Sequence, residues 1–363
     1  MTRHEEEKAM KRLTLYTMAL SAGIAMSAQS STSACMRVDM AKEVKEAVSV
    51  ERGAKNEDAI TNLGDTIRVA SYNIRFDNAD VAKFDGPNAW VHRKEALVNL
   101  IRKMNLDAFG LQEVTPGQAA YLRKALPEFE FVGEHRAFDR VSDEASPVAY
   151  RKDRFEAEKS GTFWLSETPD VPGSIGWGAA LPRVCSYLVL RERSTGRRFC
   201  FANAHTDHVS ALAREKGMLL IVDRMRKFGG GAPIVFTGDH NCRETEAPAL
   251  AVSKILKNTL TNSETAPKGP WRTFNGWQWR DAELPAVDAL KLPSNVRNAS
   301  KGSPDADKSS NGGYDWCDFG PRIDYIYVSR GVRVLSCDTL ADPRPDGKLY
   351  PSDHFPVSAE VAL

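Results

Sequence analysis

An acid and an amide stand two residues apart at the end of one apolar run, Pro233-Ile234-Val235-Phe236-Thr237-Gly238-Asp239-His240-Asn241. Side chains two apart on extended backbone share a face. A carboxylate that only accepts, beside a carboxamide that also donates, suits a hydrated cation or a phosphate. Gly238 lets the backbone crowd whatever Asp239 and Asn241 face. Taken alone, the same tetrapeptide equally well describes a turn whose side chains bond their own backbone. Similar groups end other strand-like runs. Asn73 closes the β-branched run 66–75, Glu113 closes 107–113, and His205, Asp207 and His208 close 198–208. Asp324 opens the run 322–328, and Asp353-His354 stands just before the last strand, 356–363. Imidazoles beside carboxylates are the groups of proton transfer near neutral pH.

Elements that would position these groups are legible around them. Leu97, Leu100, Ile101 and Met104 recur at helical spacing over 93–104, and Thr115-Pro116 reads as a helix N-cap with proline at the first position. A strand-to-helix corner therefore follows Glu113. Residues 146–150 form a short strand with Glu144 upstream, and 184–192 and 198–205 form a hairpin across Ser194-Thr195-Gly196. Residues 211–228 are an amphipathic helix with Leu212, Leu219, Val222 and Met225 facing in; 248–260 is helical and 332–339 is a strand. Residues 261–320 are rich in Pro, Gly, Asn and Ser and carry Trp271, Phe274, Trp277, Trp279 and Trp316, which reads as an aromatic rim or a plain surface insertion.

Composition bounds the function. With 363 residues, 42% hydrophobic and 27% charged, the chain is globular rather than fibrous or disordered. A formal net charge of +1 gives no basic field for sequence-indifferent binding to duplex nucleic acid and favours a small substrate. The cysteines after Cys35 are scattered, with no paired spacing and no Cys/His cluster, which argues against zinc. Residues 1–34 read as a cleaved export signal: Met10-Lys11-Arg12, an apolar stretch over 13–26, and a small-residue exit at Ser27-Ala28 or Ser33-Ala34. The stretch is too short for a transmembrane span. Glu5, Glu6 and Glu7 ahead of it suggest a start at Met10. Cys35 is a candidate for lipid attachment, although Thr32 stands where bacterial lipoproteins carry Leu. Export to the periplasm or cell exterior is the expected localisation, with 35–64 as a linker and 65–363 as the catalytic domain, including a Trp-rich insertion at about 265–320.

In chain order, Tyr72-Asn73-Ile74-Arg75, Leu111-Gln112-Glu113, Asn203-Ala204-His205-Thr206-Asp207-His208, Gly238-Asp239-His240-Asn241, Arg322-Ile323-Asp324-Tyr325 and Ser352-Asp353-His354-Phe355-Pro356-Val357 form six blocks. Together they resemble the endonuclease/exonuclease/phosphatase superfamily, the DNase I-like phosphoesterases, and most resemble its exported bacterial branch. The resemblance implies an α/β (α+β) four-layer sandwich: two packed, mostly antiparallel β-sheets flanked by outer helices. It implies Mg²⁺, with Mn²⁺ as a substitute, held by Glu113, Asn73 and Asp353. It implies that Asp239 activates a water, that Asn241 holds phosphate oxygens, and that His354, held by Asp324, stabilises the developing charge. His205, oriented by Glu144, would do so from the other side, with Arg75, Arg183 and Asp207 on the substrate. His240 stands where the family commonly has an aromatic, and Ala204 and Thr206 replace commoner neighbours of His205. The expected protein is a monomeric phosphoesterase acting on a small or lipid-like ester by in-line attack of water. Its alternatives are a nuclease or deadenylase-like exonuclease using Arg75, Arg183 and Arg322 along a nucleic-acid groove, and a non-enzymatic binding protein on the same scaffold.

Overall fold

The computed structural model describes residues 66–137, 143–277, 321–347 and 349–363. The expected signal segment, the linker, Cys35, Cys317 and the Trp-rich stretch from 278 to 320 lie outside the described residues.

Period-two alternation along the strands builds two sheets. One contains β1 (Thr66–Asn73), β2 (Ala108–Gln112), β3 (Phe129–Val132), β4 (Val148–Arg151), β11 (Arg333–Thr339) and β12 (Val357–Ala362), in the order β11-β12-β1-β2-β4-β3. The other contains β5 (Phe155–Trp164), β6 (Val184–Glu192), β7 (Arg198–His205), β8 (Ile234–Asp239), β9 (Leu256–Asn258) and β10 (Asp324–Ser329), in the order β5-β6-β7-β8-β10-β9. Each sheet has one parallel pair, β1 with β2 and β7 with β8, among antiparallel neighbours. Parallel neighbours need a long crossover. Helices α1 (Ala79–Asp85) and α2 (Trp90–Lys103) lie in the first crossover; α3 (Pro116–Ala125) follows β2, and α4 (Ala211–Gly229) and α5 (Ala247–Ser253) flank β8 in sequence. The expected corner after Glu113 is present: Thr115 and Gln118 close a reciprocal capping box with Pro116 at the first turn.

Three apolar clusters define four layers. Leu97, Val98, Ile101 and Leu122 of α2 and α3 pack on Ala70, Tyr72 and Leu111 of the first sheet. Met218, Ile221, Val222 and Met225 of α4 pack on Cys200, Ala202 and Phe236 of the second. Between the sheets lie Ile67, Val69, Leu188, Phe201, Val235, Ile326 and Val357. The inner face changes character along the strands. Above the apolar layer is a buried amide layer: Gln112 Nε2 donates to Asn203 Oδ1 (2.6 Å) and Ser71 Oγ (3.1 Å), and Thr237 Oγ1 donates to the same Asn203 oxygen (3.0 Å). Gly110 fits there because any Cβ would sit 2.2 Å from Asn203 Oδ1. One residue pair further along the same face come Asn73, His205 and Asp239.

Several expectations change. Leu212 is 54% exposed, and α4 buries Ala213, Met218 and Ile221 beside Val222 and Met225. The stretch 248–260 is a short helix followed by β9, because Leu256–Asn258 pairs with β10. Gly238 packs against its own sheet rather than opening the backbone to a ligand: a Cβ would meet Ala204 O at 2.3 Å. Arg322 is 2% exposed and donates to Trp271 O and Thr339 Oγ1, so it does not line a groove. The four described cysteines, Cys185, Cys200, Cys242 and Cys337, are buried and free. Among the described residues no helix is long and apolar enough to cross a membrane.

Candidate active site

Register brings the site together. His205 lies beside Asp239 across β7/β8, and Asp239 lies opposite Asp324 across β8/β10. Glu113 and Asp353 reach the same cavity from the first sheet, on the turn after β2 and the approach to β12. The cavity measures about 710 Å³ and is lined by Arg75, Glu113, Glu144, Arg183, His205, Asp239, Asn241, Asp353 and His354, among others. Three of its wall residues hold left-handed backbone although none is glycine: Arg75 (φ 57°), Glu113 (φ 64°) and Asn241 (φ 45°). Such strain persists where surrounding structure over-determines it, and it clusters at functional sites.

At the centre, Asp239 Oδ1 accepts the Asn241 N–H (3.0 Å), and its Oδ2 accepts Asn73 Nδ2 (3.0 Å). The same Asn73 amide donates to Glu113 Oε1 (3.0 Å), strapping the two acids together. Burial, with the charge of Asp324 next, raises the Asp239 carboxyl to about 7. His354 Nδ1 bonds Asp324 Oδ2 at 2.8 Å and its Nε2 stands 3.8 Å from Asp239 Oδ2. Burial, the largest single influence, would lower this imidazole; Asp324, then Asp239 and Asp353, together outweigh it and raise it to about 10, so His354 is a cation at neutral pH. Phe274 bridges to His354 and meets its ring edge-on at 5.0 Å. His205 is the opposite case. Burial and then the Arg183 and Arg136 charges hold it well below the usual histidine range, so it is neutral. Its Nε2 faces Asn241 Nδ2 (2.9 Å), which can only donate, so the proton sits on Nδ1.

The acid set bears on a cation. Asp239, Asp324 and His354 bring ligand atoms within 4.8 Å of one another. His354 is a poor ligand there, because Nδ1 is taken by Asp324 and the ring is charged. Glu113 and Asp353 form the better pair. Glu113 has one neighbour on each oxygen, Asn73 Nδ2 and the Phe76 N–H (both 3.0 Å), which leaves further lone pairs. Burial raises the Asp353 carboxyl and the nearby Glu113 charge adds to it, a repulsion that a divalent cation relieves. Arg75 Nε, 3.8 Å from Asp353 Oδ2, offsets part of it.

Other predicted residues sit differently from expectation. Asn73 is fully buried behind the wall, with Oδ1 accepting the Arg75 N–H (3.0 Å). Asn241 spends its amide on His205 and on Thr206 O (3.0 Å), so it positions the imidazole rather than presenting free N–H groups to a phosphate. Glu144 is 4.0 Å from His205 Nδ1 but 2.9 Å from Arg136 Nη1, so its firmer partner is the arginine. Burial, then the Glu113 charge, raises Glu144 to about 7. Asp207 is not in the wall: it accepts the Ala180, Val209 and Ser210 N–H groups and lies against Arg183. Sequence reasoning missed Arg136, whose partners Asp143 and Glu144 return to it only through the bridge between His135 and Ala145. It also missed Arg93, whose buried guanidinium donates to the carbonyls of Asn88, Ile74, Arg75 and Pro351 and so ties the Arg75 turn to the approach to Asp353.

A family model described as the endonuclease/exonuclease/phosphatase family matches residues 70–354. Among solved structures, a mannosyl-6-phosphatase from Bacteroides thetaiotaomicron is similar at 31% identity and TM-score 0.65, covering 82% of this chain and 100% of that one. An uncharacterized protein of Acanthamoeba polyphaga mimivirus is 26% identical over 192 residues, 50% of this chain and 66% of that protein. Nocturnin of Drosophila melanogaster is 24% identical over 328 residues, 83% of this chain. The chain spans 47% of that Nocturnin.

Proposed function

The chain belongs to the endonuclease/exonuclease/phosphatase family, and from that premise we propose that it is a divalent-metal-dependent phosphoesterase that hydrolyses a small phosphate ester by direct attack of water. The observation that carries this reading is the pairing of a buried carboxyl raised to about 7, Asp239, with a buried imidazolium, His354, across 3.8 Å at one cavity. A carboxyl poised near neutral pH beside an imidazole that stays charged can serve as base and electrostatic stabiliser. Glu113 and Asp353 would hold the cation, with Asn73 and Arg75 orienting them. A cation held there would supply neutralisation of the charge that develops on the phosphate. Asp239 takes the proton of the attacking water, held in place by Asn73 Nδ2 and the Asn241 N–H. His354 donates Nε2–H toward the phosphoryl group, and Asp324 keeps it charged; as the bond from water to phosphorus forms, the ester P–O bond breaks and the departing alcohol oxygen takes its proton from solvent. Neutral His205 flanks the same centre, fixed by Asn241. No side chain in this scheme becomes phosphorylated.

A small phosphomonoester of a sugar or polyol fits best, supported by the likeness to the mannosyl-6-phosphatase and by a cavity of about 710 Å³, within the usual range of about 300–1,000 Å³ for small-molecule sites. The burial of Arg322 weakens the nuclease alternative. The test is a panel of mannose 6-phosphate, inositol phosphates, bis-p-nitrophenyl phosphate, sphingomyelin and single-stranded RNA, with Mg²⁺, Mn²⁺ or EDTA. Turnover of at least one monoester, lost with EDTA and reduced about 10²–10⁴-fold in D239N, is expected. Hydrolysis indifferent to both EDTA and D239N would refute the scheme.

A further inference from the structure

Arg183 enters the cavity at a distance from the reaction centre that register fixes. Cys185 of β6 lies opposite Ala204 of β7, and His205 of β7 lies beside Asp239 of β8. The backbone of Arg183, just before β6, is therefore two strands from that of Asp239, roughly 10 Å at the usual strand spacing, and the side chain reaches the cavity from that side. Its guanidinium is held on that side: Nη2 meets His208 Nδ1 at 2.8 Å, and Nε stands 3.6 Å from Asp207 Oδ2. Asp207 already accepts three backbone N–H groups, so it anchors the arginine without a hydrogen bond to it. The Arg183 side chain is 4% exposed and forms part of the cavity wall. Among the described residues its Nε and Nη1 have no hydrogen-bond partner. Buried charged N–H groups are rarely left without an acceptor. The neighbouring guanidinium, Arg136, is by contrast occupied by Glu144 and Asp143.

We propose that Arg183 forms a second anion subsite, which takes a carboxylate or a second phosphate on the substrate while the scissile phosphate lies between Asp239, His205 and His354. Arginine's planar fork suits either oxyanion in a bidentate grip, so the two sources share one chemistry. This inference rests on the phosphoesterase reading and narrows it: the preferred ester carries two anionic groups on a small skeleton.

The test measures kcat/KM of the full chain with Mg²⁺ on three probes: mannose 6-phosphate, 6-phosphogluconate and fructose 1,6-bisphosphate. The read quantity is the preference for each doubly anionic probe over mannose 6-phosphate, a ratio that a general folding defect leaves alone. Wild type is expected to prefer at least one of them, and R183M to lower that preference about ten- to a hundredfold, with R183K between. Loss in one arm alone identifies carboxylate or phosphate as the second group. A preference of unity in wild type, or one equal in wild type and R183M, overturns the subsite while the phosphoesterase reading stands. If no probe is hydrolysed, calorimetric binding to D239N decides. Binding of a doubly anionic probe that R183M abolishes keeps the subsite, and the phosphoesterase reading then stands or falls on the wider ester panel; no binding overturns the subsite.

Discussion

Replacing Asp324 by Asn isolates the charge that governs His354. The substitution keeps a hydrogen-bond acceptor for Nδ1 and removes only the negative charge. The imidazole stands at about 10 against an ordinary 6.5, which corresponds to roughly 5 kcal/mol of preference for the cation. Asp324 is the largest of the contributions that raise it, ahead of Asp239 and Asp353. Without it, burial weighs more heavily against Asp239 and Asp353, and His354 is expected to titrate well below its wild-type value. A histidine raised in the folded state stabilises the fold fully below its unfolded value, and that contribution fades as pH rises through the folded value. The loss of stability in D324N is therefore largest near pH 6, on the order of 3 kcal/mol, and vanishes above about pH 10. Activity follows: the alkaline limb of kcat/KM moves to lower pH, and turnover at pH 8 falls about 10²–10³-fold. Imidazole NMR titration of the metal-free protein, urea unfolding at several pH values and the pH–rate profile read the three effects separately. An imidazole still charged at pH 9 in D324N would show that Asp324 does not set its state.

Two further substitutions test how the site is held. G110A drives a methyl group to 2.2 Å from Asn203 Oδ1, and overpacking of this kind costs about 1–3 kcal/mol, read as a lower urea midpoint with unchanged slope. R93M removes the guanidinium from four carbonyls, of which Arg75 O keeps Gln118 Nε2, and should raise the Mg²⁺ concentration for half-maximal activity more than it lowers kcat, with partial recovery in millimolar guanidinium; equal loss in both would mean that Arg93 only stabilises the fold.

Much of this architecture was readable because strand periodicity carries it. Asn73, His205 and Asp239 end runs whose alternate residues are apolar, and the inner face they share is the face those residues bury. Loops were less readable. Arg136 and Phe274 acquire their places from bridges to residues 145 and 354, which no local pattern announces. The stripe on α4 was misassigned because Leu212 and Ala213 both satisfy helical spacing, and burial follows the sheet beneath rather than side-chain size. Strand β5 went unread because its middle is polar, Glu156 to Ser160, and it forms an outer edge where such residues face water. Asn241 and Glu144 line the cavity but with partners other than those expected, since pairing among several acids, amides and arginines depends on distances of an ångström.

The stratified interior also separates what evolution may alter from what it must keep. Aliphatic side chains low between the sheets secure the fold, Gln112, Asn203 and Thr237 seal them from the ionic centre, and the mouth around Leu181, His208 and Glu246 belongs to neither stratum. Substitutions at that mouth would leave both lower strata untouched, so the shape of the entrance can change without disturbing the packing beneath it or the ionic centre.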